Sequence, residues 1–242
     1  VSDADPVVLA VDTASSCSSI ALTQGDVHNG TLIATLSLNS KVTHSRRLLS
    51  GIDWLLKENS IKFADIAGLA VGLGPGSFTG LRIGMATMKG MATAMGKPLL
   101  GVSTLDGLAL NCSGDTLVGA LLDARKKEVY RRWYRQDNDG ICRPVGSIEA
   151  LTPESFVQEI SKPCQLVGDG VFVCEELLQK KTEELITIAP KHLHTINAAS
   201  IAFLCAEQLH KGEFLDLDSA VPLYIRASDA ELNLQQKKKQ KK

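Results

Sequence analysis

The stretch Gly74-Pro75-Gly76-Ser77-Phe78-Thr79-Gly80-Leu81-Arg82-Ile83-Gly84 concentrates residues that could do chemistry. Gly74, Gly76 and Gly80 permit positive φ and close backbone approach, while Pro75 restricts its own φ. Ser77 or Thr79 can cap a following helix, and the open N–H groups of a first helical turn can hold an anion. No Gly-Lys-Ser/Thr follows at P-loop spacing. Two readings stand: a tight structural turn, or a loop that holds a ligand or phosphate. A second place is Asp12, which ends the apolar run Val7–Val11 and is followed by Thr13, Ser15 and Ser16. Its carboxylate can cap its own turn, or serve a metal or phosphate. The histidines make a weak case for metal. Two ligands at i and i+4 share a helix face, but four residues after His44 comes Leu48 and four before it Ser40. His192 and His194 alternate as on a strand face, with no third ligand nearby. Cys17, Cys112, Cys142, Cys164, Cys174 and Cys205 lack C-x-x-C spacing and read as reduced thiols. No Ser/His/Asp or Cys/His set is legible in linear order.

These residues need elements to position them. Ile66–Gly72 is apolar and of strand length, and Leu81–Met95 is long enough for four helical turns, so the glycine-rich run joins a strand to a helix. Val7–Val11, Ser18–Thr23 and Thr31–Leu38 read as a meander with Asp12 at its first bend. Residues 45–59 form a helix in which Leu48, Leu49, Ile52, Leu55 and Leu56 make one broad apolar face. The helix after the glycine-rich run carries all four methionines, Met85, Met88, Met91 and Met95, interleaved with small residues. Such a stripe suits either a core or a repacking helix–helix contact. Beyond about residue 110 the pattern starts again: Leu117–Asp123 is an apolar strand ending in aspartate, and Glu128–Tyr134 is its hairpin partner. The strand–Asp–turn–strand echo points to an internal duplication and two α/β lobes. The second turn is Arg125-Lys126-Lys127, whose long side chains are expected to close a cleft beside it. Thr152-Pro153-Glu154 opens a further helix, Gln165–Gly170 is a strand entering a glycine turn, 174–180 and Ala198–Leu209 are helical, and Pro222–Arg226 is extended.

Composition narrows the class. A hydrophobic content of 44% with 22% charged residues supports a folded core in a chain of 242 residues. No apolar run reaches the length of a membrane span, and the acidic Val1–Pro6 does not resemble a secretory signal, so a cytoplasmic protein is expected. Of 26 basic residues five are lysines at 237–242; without them 21 basic face 27 acidic residues, a body of charge −6. Such a body binds tRNA poorly by itself.

The glycine-rich run resembles the signature of the bacterial TsaB (YeaZ) family, relatives of the TsaD-type glycoprotease enzymes. Val8–Ala14, His44-Ser45 with Leu48-Leu49, Asp123-Ala124-Arg125 with Glu128-Val129-Tyr130, and Pro222–Arg226 resemble it too, so the similarity covers residues 7 to about 231. The resemblance implies an α/β fold of two ribonuclease H-like/actin-like ATPase (ASKHA) lobes with mixed sheets flanked by helices. The expected boundaries are 1–108, 109–234 and a basic disordered tail at 235–242. It implies a non-catalytic subunit that binds and activates a TsaD-type threonylcarbamoyltransferase acting on adenosine 37 of tRNA, together with a TsaE-type ATPase. Partner contacts fall to helices 45–59 and 79–95, through Leu48, Ile52, Leu55, Leu81, Met85, Met88, Met91 and Met95, which also serve a homodimer when the chain is alone. Asp12, Ser15, Ser16, Gly74, Gly76, Ser77 and Thr79 would line a vestigial nucleotide or phosphate site. No cofactor or metal of its own is expected, ATP/ADP and metal belonging to the partners; tRNA is met only within the complex, and no membrane. The alternative is an actin-like-fold ATPase, phosphotransferase or metallopeptidase in its own right.

Overall fold

The computed structural model describes residues 5–39, 44–181 and 183–226; the side chains of residues 44–46 and 183 are outside that description, as is the lysine tail. The first lobe opens with strands β1 (Val7–Asp12), β2 (Cys17–Gln24) and β3 (Thr31–Asn39), then helix α1 (His44–Glu58) and strand β4 (Ile66–Gly72). Helix α2 (Phe78–Met95), strand β5 (Leu99–Val102) and helix α3 (Thr104–Ala109) follow. The second lobe holds β6 (Leu117–Arg125), β7 (Glu128–Gln136), β8 (Cys142–Leu151), α4 (Pro153–Glu159) and β9 (Cys164–Val167). It continues with α5 (Gly170–Val173), α6 (Glu175–Leu178) and β10 (Ile186–Ile188), and the last helix is α7 (Ala198–Lys211).

The two sheets have strand orders β3-β2-β1-β4-β5 and β8-β7-β6-β9-β10. In each, the first three strands are an antiparallel meander and the last two run parallel to the first. The duplication read from Asp12 and Asp123 is therefore a duplication of topology, and the two-lobe α/β arrangement stands. Alternation along β1 divides its residues between two layers. Leu9 and Val11 join Leu48, Ile52, Leu55, Met85 and Met88 of α1 and α2, while Val8 and Ala10 face α7 with Ala21, Ala70 and Leu100. On that second face, small residues of α7 such as Ala198, Ala202 and Ala206 let the helix lie close to the sheet.

This packing corrects the expected lobe boundary. Helix α7 and the chain to Ala220 pack on the first lobe, α7 covering the face of its sheet that α1 and α2 leave bare. After α7 a strap of residues 213–226 recrosses the molecule. Leu215 N donates to Leu99 O (2.8 Å) and Leu223 N to Leu73 O (2.8 Å), while Leu215, Leu217 and Ala220 pack onto the α1–α2 core. Tyr224 stacks on Phe78 with centroids 5.0 Å apart, Arg82 Nε donates to its hydroxyl (3.1 Å), and Arg226 pairs with Glu128 of the second lobe.

Candidate functional site

The ends of β1, β4 and β5 meet at Asp12, which is fully buried. Its Oδ1 accepts from Ala14 N (2.8 Å) and its Oδ2 from Thr104 Oγ1 (2.8 Å). Thr104 Oγ1 accepts in turn from Gly74 N (3.2 Å), and Ser103 Oγ donates to Gly74 O (2.9 Å). Burial pushes the Asp12 carboxyl up to about 6, against the smaller opposing pull of those two hydrogen bonds. Space here is tight: a Cβ on Gly72 would lie 1.9 Å from Asp12 Oδ2.

The glycine-rich run folds onto the turn after β1. A Cβ on Gly76 would fall 2.3 Å from Ala14 O, one on Gly80 2.0 Å from Thr13 O, and one on Gly84 2.4 Å from Thr13 Oγ1. Ser77 N donates to Ala14 O (2.6 Å), Thr13 Oγ1 to Gly80 O (2.7 Å), and Gly80 N to Ser77 Oγ (3.3 Å), so Ser77 is the helix cap. The Ser77 and Gly80 amides are thus spent on the protein itself. These contacts are those a tight structural turn requires. Thr79 is exposed and joins no part of the site.

Ser15 and Ser16 lie elsewhere, on the wall of a cleft between the lobes, of about 160 Å³. Asp169, Phe172, Lys191, His194 and Thr195 of the second lobe face them. Sequence reading missed this wall. His194 is not on a strand face: it is buried in a 3-10 turn, its Nε2 donating to Ala189 O (2.8 Å) and its Nδ1 accepting from Gly168 N (2.9 Å). Asp169 Oδ1 accepts from Asp123 N (2.9 Å); burial, with the Asp123 charge adding, raises its carboxyl above the ordinary range. The Gly168–Gly170 bracket around Asp169 was the available signal. Arg125, Lys126 and Lys127 are exposed and do not line the cleft, contrary to the expectation that they close it.

Helix α3 ties the lobes together. Thr104 bonds to Asp12, and two residues later Asp106 accepts from Tyr134 Oη (2.7 Å) and pairs with Arg132 (3.1 Å) on β7. Burial raises the Asp106 carboxyl too.

The residues expected at a partner surface divide. Leu48, Ile52, Leu55, Leu81, Met85 and Met88 are each 0–5% exposed and belong to the chain's own core, which corrects their assignment. The apolar periodicity that marks them is the periodicity of the face turned to the sheet. Met91 and Met95 are half-buried against the same core. What the helix pair presents outward is Leu49 (55% exposed) and Trp54 (52%) on α1, with Arg82, Ala86, Gly90, Thr93 and Ala94 on α2. Trp54 also walls a groove of about 360 Å³ with Leu36 and Leu38 of the edge strand β3.

His44 has no histidine one turn further along α1 with which to share a metal ion. The position one turn beyond His44 is Leu48, sealed in the core. Among the described residues no three His, Cys, Asp or Glu side chains are grouped to hold a metal ion, and no helix is long and apolar enough to cross a membrane. The six cysteines are free and buried, and burial raises every thiol, that of Cys112 to about 12.

Comparison with known proteins places this geometry. A family model described as TsaD, tRNA N6-adenosine threonylcarbamoyltransferase, matches residues 38–234. The chain is 31% identical over 225 residues to the tRNA threonylcarbamoyladenosine biosynthesis protein TsaB of Escherichia coli (strain K12), covering 90% of this chain and 94% of that one. It is 29% identical to the protein of the same name from Bacillus subtilis (strain 168), covering 93% and 96%. The solved structure of YeaZ from Pseudomonas aeruginosa superposes with a TM-score of 0.75 at 27% identity, covering 90% of this chain and 99% of that one. With a glycine-rich run folded as a turn, duplicated sheets and similarity along nearly the whole chain, this protein belongs to the TsaB (YeaZ) family.

Proposed function

We propose that this protein is a non-catalytic subunit of the machinery that makes threonylcarbamoyladenosine in tRNA. It binds and activates a TsaD-type threonylcarbamoyltransferase, with a TsaE-type ATPase as third member. Membership of a family whose curated relatives carry that biosynthetic name supports the reading along the full length of the fold. The observation that carries its non-catalytic part is the state of the glycine-rich run. Its Ser77 and Gly80 amides bond within the chain, and Asp12 is sealed behind it against Thr104 and Ala14. A carboxylate with no route to solvent neither positions a substrate phosphate nor accepts a proton from one.

The partner surface in this reading is the outward side of α1 and α2. Leu49 and Trp54 supply an aliphatic and aromatic anchor of the type that dominates interfaces. Ala86, Gly90 and Thr93 leave α2 open to close approach by another helix; a Cβ on Gly90 would meet nothing within 4 Å. When alone, the chain covers the same surface by pairing with a second copy. Nucleotide and metal belong to the partners, and tRNA is met within the assembly.

Reconstituted transfer tests this. TsaD- and TsaE-type proteins are assayed for threonylcarbamoyl transfer to tRNA with no addition, with the chain, and with its Asp12→Ala variant. Transfer that needs the chain and tolerates the variant is the expected result. Transfer that proceeds equally without it ends the subunit reading. Loss with Asp12→Ala in a variant that stays folded, joined by Mg-ATP hydrolysis in the isolated wild-type chain, favours the independent ATPase instead.

A further inference from the structure

The cleft between the lobes holds two opposite charges that do not meet. Lys191, at the head of the 3-10 turn Lys191–His194, and Asp169, in the glycine bracket after β9, both line its space of about 160 Å³. No ion pair joins them, and among the described residues the lysine ammonium has no hydrogen-bond or salt-bridge partner. Asp169 cannot swing across to it. Its Oδ1 accepts from Asp123 N (2.9 Å), and the glycines on either side are pressed against β6. A Cβ on Gly168 would lie 1.9 Å from Leu121 O, and one on Gly170 2.9 Å from Leu121 Cβ. Arg125, whose charge is felt at Asp169, is itself paired with Asp123 (3.0 Å). Burial and the Asp123 charge disfavour the ionised form of Asp169, and a cation arriving beside it would offset both.

The remaining walls say what else an occupant meets. Ser16 of the first lobe and Thr195 of the second each bring a hydroxyl that has no partner among the described residues. The Ser15 hydroxyl, by contrast, is held in its own turn by Cys17 N (3.1 Å). His194 adds bulk rather than charge, because both its ring nitrogens bond to backbone groups. Phe172 leans on that ring with centroids 4.9 Å apart, and Leu122 and Ile196 continue the apolar wall. Size restricts the occupant further. A cavity of about 150 Å³ holds one molecule the size of benzene, whereas ligands of drug or nucleotide size need roughly 300 Å³ or more. The cleft therefore suits about six to nine heavy atoms carrying one positive and one negative group.

We propose that the inter-lobe cleft binds a small α-amino acid, its carboxylate on Lys191 and the Ser16 and Thr195 hydroxyls, its ammonium on Asp169, and its side chain against Phe172 and Ile196. Because Ser16 comes from the first lobe and the other contacts from the second, an occupied cleft ties the lobes together. Binding there needs neither a partner protein nor tRNA.

The full-length chain is titrated by calorimetry and by thermal melting with glycine, L-alanine, L-serine and L-threonine at up to about 10 mM. L-lactate, in which a hydroxyl replaces the ammonium of alanine, and ethanolamine, which is serine without its carboxylate, are the single-charge analogues. Inorganic phosphate and Mg-ATP are run beside them. The variants are Lys191→Met and Asp169→Asn, the second keeping an acceptor for Asp123 N. At least one amino acid is expected to bind with a Kd below about 1 mM and to raise the melting temperature. Each variant should weaken that binding by about tenfold or more, as should loss of either charge from the ligand. The proposal is overturned if no amino acid raises the melting temperature at about 10 mM, or if affinity is unchanged in either variant. It is overturned equally if an analogue, phosphate or Mg-ATP binds as tightly as the amino acid. Should Asp169→Asn not fold, the comparison of L-lactate with L-alanine reads the same contact on the unaltered chain.

Discussion

Replacing Asp12 with Asn should make the protein more stable at neutral pH. The carboxylate is fully buried and its pKa rises from 3.8 to about 6, so the folded state prefers the protonated form. For a group raised on folding, its stabilising contribution is fully present below about 3.8, declines between 3.8 and about 6, and is gone above. The difference of about two units corresponds to roughly 3 kcal/mol lost by pH 7.5, at about 1.4 kcal/mol per unit. Asn keeps the shape and accepts from Ala14 N as Asp12 does now. Its amide nitrogen, however, meets Thr104 Oγ1, which at present donates to Asp12 while accepting from Gly74 N. Redirecting that hydroxyl costs roughly 1 to 2 kcal/mol. A net gain of about 1 to 2 kcal/mol at pH 7.5 is expected, together with loss of the fall in stability between pH 4 and about pH 6.5. Urea unfolding of both proteins at half-unit pH steps measures both quantities. A variant less stable at pH 7.5, or one that keeps the wild-type slope across that window, would contradict the assignment of a buried, unpaired charge.

Trp54→Glu should weaken association with a TsaD-type partner by about 30-fold or more while shifting the isolated chain's stability by no more than about 0.5 kcal/mol. Met88→Asp, two turns along α2 from Gly80 and wholly buried, should instead cost more than about 4 kcal/mol and unfold the chain; gel filtration beside thermal melts separates the two behaviours. Gly80→Ala drives a methyl into Thr13 O and should cost roughly 2 to 3 kcal/mol by urea unfolding. Lys126→Asn with Lys127→Gly should add about 1 kcal/mol, read from the same unfolding curves, because both residues hold a positive φ (54° and 61°) that Asn and Gly adopt more readily.

How much of this was legible depended on whether a local pattern had one structural meaning or two. β1, β4 and the glycine-rich turn could be read because apolar runs, glycines and a capping serine agreed. The apolar faces of α1 and α2 could not, since a 3.6-residue period marks a helix face that is covered without saying by what. Leu48, Ile52, Leu55 and Met88 read as partner contacts and are core, whereas Leu49, read into the same apolar face, and Trp54, which lies outside it, face outward. Strand β8 escaped notice: Pro144 and Gly146 break its run, features an edge strand tolerates and a central one does not. The cleft wall of Asp169, Lys191 and His194 comes from segments brought together only by the second sheet. Asp12 was seen, but Thr104, its partner 92 positions away, could be read only as part of a local cap.

The return of α7 to the first lobe orders events during synthesis. When β1, β2, β4 and β5 have all emerged, Val8, Ala10, Ala21, Ala70 and Leu100 form a bare apolar face with its cover still unmade. About a hundred more residues must leave the ribosome before Ile201, Ala202 and Cys205 can close it. At roughly 5 to 20 residues per second that is an exposure of some 5 to 20 seconds. The second sheet, whose strands and short helices lie together between residues 117 and 188, has no such wait. The lobe made first is therefore completed last, and chaperone attention and early proteolysis should fall on its α7-facing side.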